Sequence, residues 1–333
     1  MKRKVKKRSE KWPSVSFVVC TYNCKDYAKR CFTSMLNQDY PQKKIEILAL
    51  DGGSTDGTIE LAKKMGVKVI NNPAKLPEGR GRGKWLGFRK AKGEIVIFVD
   101  SDNKLVEKDW LKQMVSPLIN DPNVNFAICR MSVVKSDKLI NRYLSLMGTD
   151  PIAGYKSIDS LLALRKLKLV DKGDYYTYTI TPKNFIITGG FYFAVKKKTL
   201  QKIGGYTQDT DVVYNLAKSG MGTVAIPKKA HVHHLIIKSV NQFLKKKIWW
   251  AKVYFRKQRK GRDFDWIPSS PWEKIKLGTV MMSNLLVVPQ LIVGIEMAIK
   301  DRESSWLLHP FIGWLTAFAY CYAYITSKLN PSL

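Results

Sequence analysis

Two carboxylates two positions apart close an apolar run: Asp100-Ser101-Asp102 follows Glu94–Val99 (EIVIFV). Oxygen ligands so placed can hold one hard divalent cation. Mg²⁺ or Mn²⁺ prefers oxygen and shares its shell with substrate phosphates. An Asp-x-Asp pair alone is common by chance, and its place after a buried strand is what gives it weight. A second acidic cluster, Asp51-Gly52-Gly53-Ser54-Thr55-Asp56-Gly57, follows Ile45–Leu50 (IEILAL). Gly52 and Gly53 let the backbone approach a ligand closely, and Asp51 is placed to accept hydrogen bonds from a nucleobase or ribose. Asp56 reads as a helix cap. A third polar turn, Thr21-Tyr22-Asn23, follows Val15–Cys20 (VSFVVC). Asp209 and Asp211 open a further helix. His231, His233 and His234 are three of only four histidines; on a strand, His231 and His233 share one face and His234 the other.

The elements that must position these groups follow from the apolar pattern. Val15–Cys20 is a short continuous apolar run, as a strand buried on both faces is; Ile45–Leu50 reads as a second buried strand, Val67–Ile70 as a third strand and Glu94–Val99 as a fourth. Helical segments Asp26–Asn37, Thr58–Met65 and Gly83–Lys92 separate them. This alternation predicts an α/β fold with a mostly parallel sheet and helices on both faces. Ligands of such sheets bind outside the carboxyl ends of the strands, where all three polar clusters fall. Further on, the pattern predicts a strand within Lys183–Ala194, a helix from Asp209 to Lys218, and short strands at Val224–Ile226 and Ala230–Leu235.

The composition changes after Leu235. Ile237–Arg262 mixes Lys245-Lys246-Lys247 and Arg256–Arg262 with Trp249-Trp250 and Tyr254-Phe255, the make-up of a helix lying in a membrane interface. Leu277–Ile299 and Ser304–Thr326 are apolar stretches long enough to cross a hydrocarbon core of roughly 30 Å. Read as a transmembrane hairpin joined by the charge-balanced Lys300–Glu303, they place the catalytic part and the C-terminus on the cytoplasmic face of a cell membrane. The expected division is a basic arm (1–12), an α/β domain (13–235), an interfacial segment (236–272) and a two-helix membrane region (273–333).

The chain carries 57 Lys and Arg against 27 Asp and Glu, a formal charge of +30. Such an excess points to nucleic acid, anionic lipid or a phosphorylated substrate. Two apolar stretches and three acidic strand-end clusters argue against nucleic acid. Five cysteines with no paired spacing suit free thiols in a reducing compartment.

VSFVVCTYN, ALDGGSTDGT and AKGEIVIFVDSD, in this order and spacing, resemble the inverting nucleotide-sugar glycosyltransferases of family 2. The resemblance continues through ITGGFYFAVKKKTLQKIGGY and QDTDVVYNLAKSG and covers residues 14–235. It implies a GT-A fold (Rossmann-like), a nucleotide-diphospho-sugar donor, UDP- or GDP-linked, and a divalent cofactor, Mg²⁺ or Mn²⁺. It further implies that Thr21 and Asn23 line the donor base pocket with Asp51, that Asp100 lies near the ribose or metal, and that Asp102 lies on the metal. Asp209 takes the place of the catalytic Asp, with Asp211 the alternative base; Gln208 stands where Glu is common. A histidine contributes to metal or diphosphate in some relatives, and of the two that share a face, His233 is preferred to His231. Many relatives carry Arg-Asn where this chain has Lys84-Trp85, so Arg80, Arg82 and Lys84 are the candidates to reach the diphosphate, Lys84 foremost.

The membrane features and the charge lead to a lipid acceptor, polyprenyl phosphate or a lipid-linked glycan. A phosphate is already ionised near neutral pH, whereas a sugar hydroxyl needs a base. A processive polysaccharide synthase is the nearest alternative, but its Gln-x-x-Arg-Trp motif is absent. A non-catalytic membrane scaffold would have no need of Asp51, Asp100, Asp102 and Asp209.

Overall fold

The computed structural model describes residues 12–72, 82–148, 151–152, 155–156, 167–186, 192–235, 237–255 and 262–329. The basic arm, Arg80, the side chain of Arg82, Gly189-Gly190 and residues 256–261 lie outside them.

The first half of the chain alternates as its apolar runs predict: β1 (Val15–Thr21), α1 (Lys25–Leu36), β2 (Ile45–Asp51), α2 (Thr58–Lys64), β3 (Lys68–Asn71), α3 (Arg82–Lys90), β4 (Ile95–Val99). β1 is buried along its whole length and serves two cores at once. Phe17 and Val19 join Phe32 of α1 on one face of the sheet. Val18 and Cys20 join Phe88 of α3 on the other. Full burial on both faces explains why β1 and β4 read as unbroken apolar runs, whereas β3 at the sheet edge is half-buried to exposed. Helix α3 sits unusually close to the sheet: a Cβ on Gly83 would lie 2.6 Å from Cys20 Sγ, and one on Gly87 would overlap Val18. The two glycines, one turn apart, carry the helix down onto β1.

β5 (Asn103–Leu105), α4 (Trp110–Asn120), β6 (Phe126–Ile128), β7 (Arg130–Met131) and α5 (Leu139–Met147) follow. Then come β8 (Val170–Asp171), β9 (Tyr175–Thr179), β10 (Tyr192–Lys196), α6 (Lys197–Lys202), α7 (Asp209–Lys218), β11 (Thr223–Pro227) and β12 (His231–His234). The main sheet has the order β3-β2-β1-β4-β10-β6-β11-β9-β8. Its β3-β2-β1-β4 half is parallel. β10 enters antiparallel to both β4 and β6, so the sheet is mixed rather than wholly parallel. A second small sheet, β5-β12-β7, stands beside the end of β4. In it His234 is paired with Asn103, the residue after Asp102.

The C-terminal part comprises α8 (Val240–Val253), α9 (Pro271–Leu285), α10 (Val288–Asp301), a short 3₁₀ turn at Ser304–Leu308, and α11 (His309–Leu329). A third core joins it to the α/β domain: Tyr143 and Leu144 of α5 pack with Phe243, Met297, Trp306 and Ile312. The expected span over Leu277–Ile299 falls on two helices bent by 74°, a pair that passes by length and composition together, while among the described residues no single helix is long and apolar enough to cross a membrane. The break falls at Val287, with φ at 64°, just ahead of Pro289. Proline cannot donate a helical hydrogen bond and disfavours helix in the residue before it, but it is tolerated in the first turn of a new helix. The connection expected on the far side of the hairpin is held against the α/β domain, because Glu303 takes both oxygens to Arg142 of α5, at 2.5 and 2.7 Å.

Candidate active site

The polar clusters meet at the carboxyl ends of β1, β2 and β4. Close packing of α3 drives Lys84 into the interior, where it is fully buried. Its Nζ lies 2.9 Å from Asp100 Oδ1 and 3.4 Å from Asp209 Oδ1. Burial alone would lower the pKa of this ammonium; Asp100 and Asp209 outweigh it and hold it above its ordinary range. Lys84 therefore bridges the strand-end motif to the helix that starts at Asp209. Tyr206, buried beneath, donates its hydroxyl to Asp209 Oδ1 at 2.6 Å. Burial, with Asp209 and Asp100 alongside, pushes the phenol well up and keeps it a donor.

Asp211 is turned away from this cluster. Two residues apart on a helix are about 200° apart around its axis, and Asp211 is buried on the opposite side. Arg262 Nε and Nη2 donate to its Oδ1 at 3.2 Å, and the Asp263 N–H approaches its Oδ2 at 3.3 Å. Of the two sequence candidates for a base, Asp209 is beside Asp100 and Asp211 holds a loop.

The structure places the three histidines of β12 against three different carboxylates. His233 Nε2 lies 2.7 Å from Asp137 Oδ2, away from the Asp-x-Asp pair. His234 is the buried one, with Nε2 3.1 Å from Asp102 Oδ1. The cause is register: in β12, Val232 and His234 point inward, and pairing with β5 sets His234 beside the turn that carries Asp102. His231 is bound to Glu107. Arg30 of α1 ties the layer together, donating to the backbone oxygens of Asp102 and His233 at 3.0 and 3.4 Å.

Thr21 and Asp51 are joined directly, Thr21 Oγ1 donating at 2.9 Å. Asp51 also accepts from the Gly53 and Ser54 N–H groups and from Ser54 Oγ. Four donors on one carboxylate make Asp51 the organiser of the loop. Asn23, in the left-handed region at φ 45°, accepts from the Thr55 N–H and so links the first and second strand-end loops. Asp56 accepts from the Thr58 N–H at the start of α2, as a cap would. Tyr206 and Arg30 were not among the residues singled out from the sequence; the only signal for Tyr206 is its place after Gly204-Gly205, three residues before Asp209.

Among the described residues no three His, Cys, Asp or Glu side chains form a ready-made metal cage. The donor set still fits a hard cation of the kind held by one or two carboxylates, with phosphate and water completing its shell. Asp100 and Asp102 are two such carboxylates at one strand end, and His234 orients one of them.

A mixed α/β sheet with this set at its strand ends defines a class, and the comparisons with known proteins agree. The sequence model of Glycosyl transferase family 2 matches residues 16–203, over half of the chain, and the chain belongs to that family. It is 33% identical over 100 residues to the poly(ribitol-phosphate) beta-N-acetylglucosaminyltransferase TarS of Staphylococcus aureus, covering 29% of this chain and 17% of that protein. It is 31% identical over 110 residues to the glycosyltransferase AglE of Haloferax volcanii, covering 32% and 36%. It is 33% identical over 98 residues to the glucosyl-3-phosphoglycerate synthase of Petrotoga mobilis, covering 28% and 30%. The chain thus spans well under two thirds of these relatives' lengths. Among solved structures, the mannosyltransferase PcManGT from Pyrobaculum calidifontis, in complex with GDP-Man and Mn²⁺, superposes over 93% of this chain and 88% of its own, with TM-score 0.55 and 18% identity. The shared fold is of the GT-A type.

Proposed function

We propose that the protein is an inverting glycosyltransferase that moves a sugar from a nucleotide-diphosphate sugar to a membrane lipid acceptor, polyprenyl phosphate or a lipid-linked glycan. The observation that carries this reading is the contact of Lys84 with both Asp100 and Asp209. It joins the strand-end motif suited to a metal diphosphate with a carboxylate suited to activating an acceptor.

The donor base lies over the loops of Thr21, Asn23 and Asp51, whose shape is held by their mutual hydrogen bonds. Asp100 and Asp102 would hold Mg²⁺ or Mn²⁺, which supplies Lewis-acid stabilisation of the departing diphosphate. Lys84 adds a fixed, desolvated positive charge on the same side. Asp209 accepts the proton of an acceptor hydroxyl as the new glycosidic bond forms and the bond to the diphosphate breaks on the opposite face of the sugar. Tyr206 and Lys84 set the direction of its carboxylate.

The acceptor is argued from α8. This helix carries Lys245, Lys246 and Lys247 in succession, and the charge of Lys246, after that of His234, helps to hold the Asp102 carboxyl below its ordinary value despite burial. That suits an acceptor bearing phosphate. The names of two relatives, a poly(ribitol-phosphate) transferase and a phosphoglycerate glucosyltransferase, record phosphate-bearing acceptors as well. The proposed location is a cell membrane, with the catalytic domain on its cytoplasmic face.

The test is release of nucleotide diphosphate by detergent-dispersed protein, from a panel of nucleotide sugars, with and without polyprenyl phosphate. Lipid-dependent release from one donor, abolished by EDTA, restored by Mn²⁺ or Mg²⁺ and lost in Asp102→Ala, is the expected result. Release only with a glycosylated lipid selects the chain-extending reaction. Folded protein that turns over no donor with either lipid defeats the proposal.

A further inference from the structure

The C-terminal helices are built inside out. Beside the Met297, Ile312 and Leu315 that join the third core, many of their buried residues are small or polar: Asn284, Gly294, Gly313, Thr316, Ala317 and Ala319. A Cβ on Gly294 would come within 2.9 Å of the Trp306 carbonyl, and one on Gly313 would overlap Asn284. Small residues that let helix backbones touch, with large apolar ones facing outward, are what a hydrocarbon surrounding selects. The outward residues form stripes. On α9 they are Trp272, Ile275, Met282 and Leu285; on α10, Val288, Ile292, Ile295 and Ile299; on α11, Trp314, Phe318 and Tyr322. Nineteen of the twenty-six exposed large apolar side chains among the described residues lie between 272 and 329, so the exposure belongs to this one surface. A soluble surface does not carry a patch of that extent without something to cover it.

Both ends of the bent pair α9–α10 are fastened to the α/β domain. Before α9, Lys156 pairs with Glu273 at 3.2 Å and donates to the Asp265 and Ile267 carbonyls, while Phe264 packs edge-on to Phe185. After α10, Glu303 is gripped by Arg142, and Trp306 packs edge-on to Tyr143. The pair therefore leaves the domain and returns to it on the same side. Its apex, Leu285-Leu286-Val287-Val288, is four exposed apolar residues in a row, with Leu286 and Val288 at 61% and 62%. Arms of 15 and 14 residues are about 22 and 21 Å long at 1.5 Å per residue. Bent by 74°, with both ends at the surface, they carry the apex about 13 Å deep, close to half of a hydrocarbon core of roughly 30 Å.

The rim is cationic. Residues 237–333 hold fifteen Lys and Arg against six Asp and Glu. Several lysines lie over the outward aromatics: Lys276 over Trp272, Lys252 over Tyr322 and Lys328 over Tyr324, at 5.0–6.0 Å. Long amines beside exposed rings are the chemistry of the headgroup level, where the stem stays apolar and the charge meets anionic lipid.

We propose that α9, α10 and the outer stripe of α11 form a monotopic wedge that enters one leaflet of an anionic bilayer, apex first, without crossing it. The proposal deepens, and rests on, the reading of a membrane lipid acceptor: a wedge fastened to α5, whose Asn141 also holds the His234 carbonyl, would bring the strand-end site to the headgroup layer.

The experiment adds the full-length chain from outside to sealed phosphatidylcholine vesicles, with and without phosphatidylglycerol, and floats them. Binding about tenfold stronger with phosphatidylglycerol, and weakened by salt, is expected. The double variant Leu286→Asp/Val288→Asp, folded in detergent by its thermal unfolding, is expected to lose binding about tenfold or more. Unchanged binding by that variant overturns the wedge. Topology is read with Lys300→Cys and, as an outside control, Lys64→Cys, both in a Cys321→Ser background, since the remaining thiols are buried. An impermeant maleimide is expected to label both positions equally on intact vesicles. Labelling of Lys300→Cys only after permeabilisation would mean a span and overturn the proposal. Sugar transfer to lipid is measured separately in detergent. Vesicle-bound chain with outside Lys300→Cys that turns over no donor leaves the wedge standing and defeats the acceptor reading; transfer in detergent without vesicle binding does the reverse.

Discussion

Asp209 and Asp211 are two positions apart and chemically identical, yet their surroundings assign them different work. Asp209 shares Lys84 with Asp100 and accepts from Tyr206, whereas Asp211 is sealed beneath Arg262. Asp209→Asn is expected to slow transfer to a hydroxyl acceptor by at least about 10²-fold, and transfer to a phosphate acceptor only modestly; nucleotide diphosphate release per folded chain measures both. Asp211→Asn leaves the Arg262 guanidinium without its carboxylate and is expected to cost about 1–3 kcal/mol of stability in denaturant unfolding, with turnover per folded chain unchanged. The opposite pattern would make Asp211 the base. For the histidines, His234→Ala is expected to raise the Mn²⁺ concentration giving half-maximal turnover by about tenfold, the scale of losing a group that orients a metal ligand. His233→Ala acts through Asp137 and is expected to leave metal dependence alone. Equal shifts in the two variants would return His233 to the metal site.

Elements, rather than single residues, bring the two halves of the protein together. Helix α5 faces the strand-end layer through Asn141 and the C-terminal helices through Arg142 and Tyr143. Breaking the Arg142–Glu303 pair with Arg142→Met leaves a nearly buried carboxylate uncompensated and is expected to cost about 3 kcal/mol. Burial alone would push Glu303 up; Arg142 and the Ser305 N–H more than offset it and hold the carboxyl below its ordinary value. A carboxyl lowered on folding adds stability above its unfolded pKa and loses it as pH falls through the folded pKa. The native chain is therefore expected to lose stability across that acidic window, and Arg142→Met to show a flatter acid limb in thermal unfolding monitored against pH. An unchanged acid limb would show that the pair does not fasten the halves.

Seen whole, the molecule is strongly cationic and carries its apolar surface at one end. The charge keeps copies apart, while the uncovered stripes of α9, α10 and α11 favour association. Without detergent or lipid the chain is expected to form large assemblies, and mild detergent to disperse them; light scattering across the critical micelle concentration checks this. A monodisperse particle in plain buffer would mean that the stripes are covered by something other than detergent or lipid.

Much was legible in the residues themselves. Val15–Cys20, Ile47–Leu50 and Ile95–Val99 are buried on both faces, so each declares itself as a strand without knowledge of its neighbours, and the acids after them had to fall at strand ends. The family followed from those three motifs in order. The choices among near neighbours did not follow. That Asp209 rather than Asp211 lies beside Asp100 depends on where α3 carries Lys84, and that His234 rather than His233 lies beside Asp102 depends on which strand β12 pairs with, both set by contacts over a hundred residues away. The path of Leu277–Ile299 was equally hidden, because hydrophobicity records that a segment avoids water and not where its ends are tied. Here the left-handed Val287 and the hold of Arg142 on Glu303 turn the chain back toward the domain it came from.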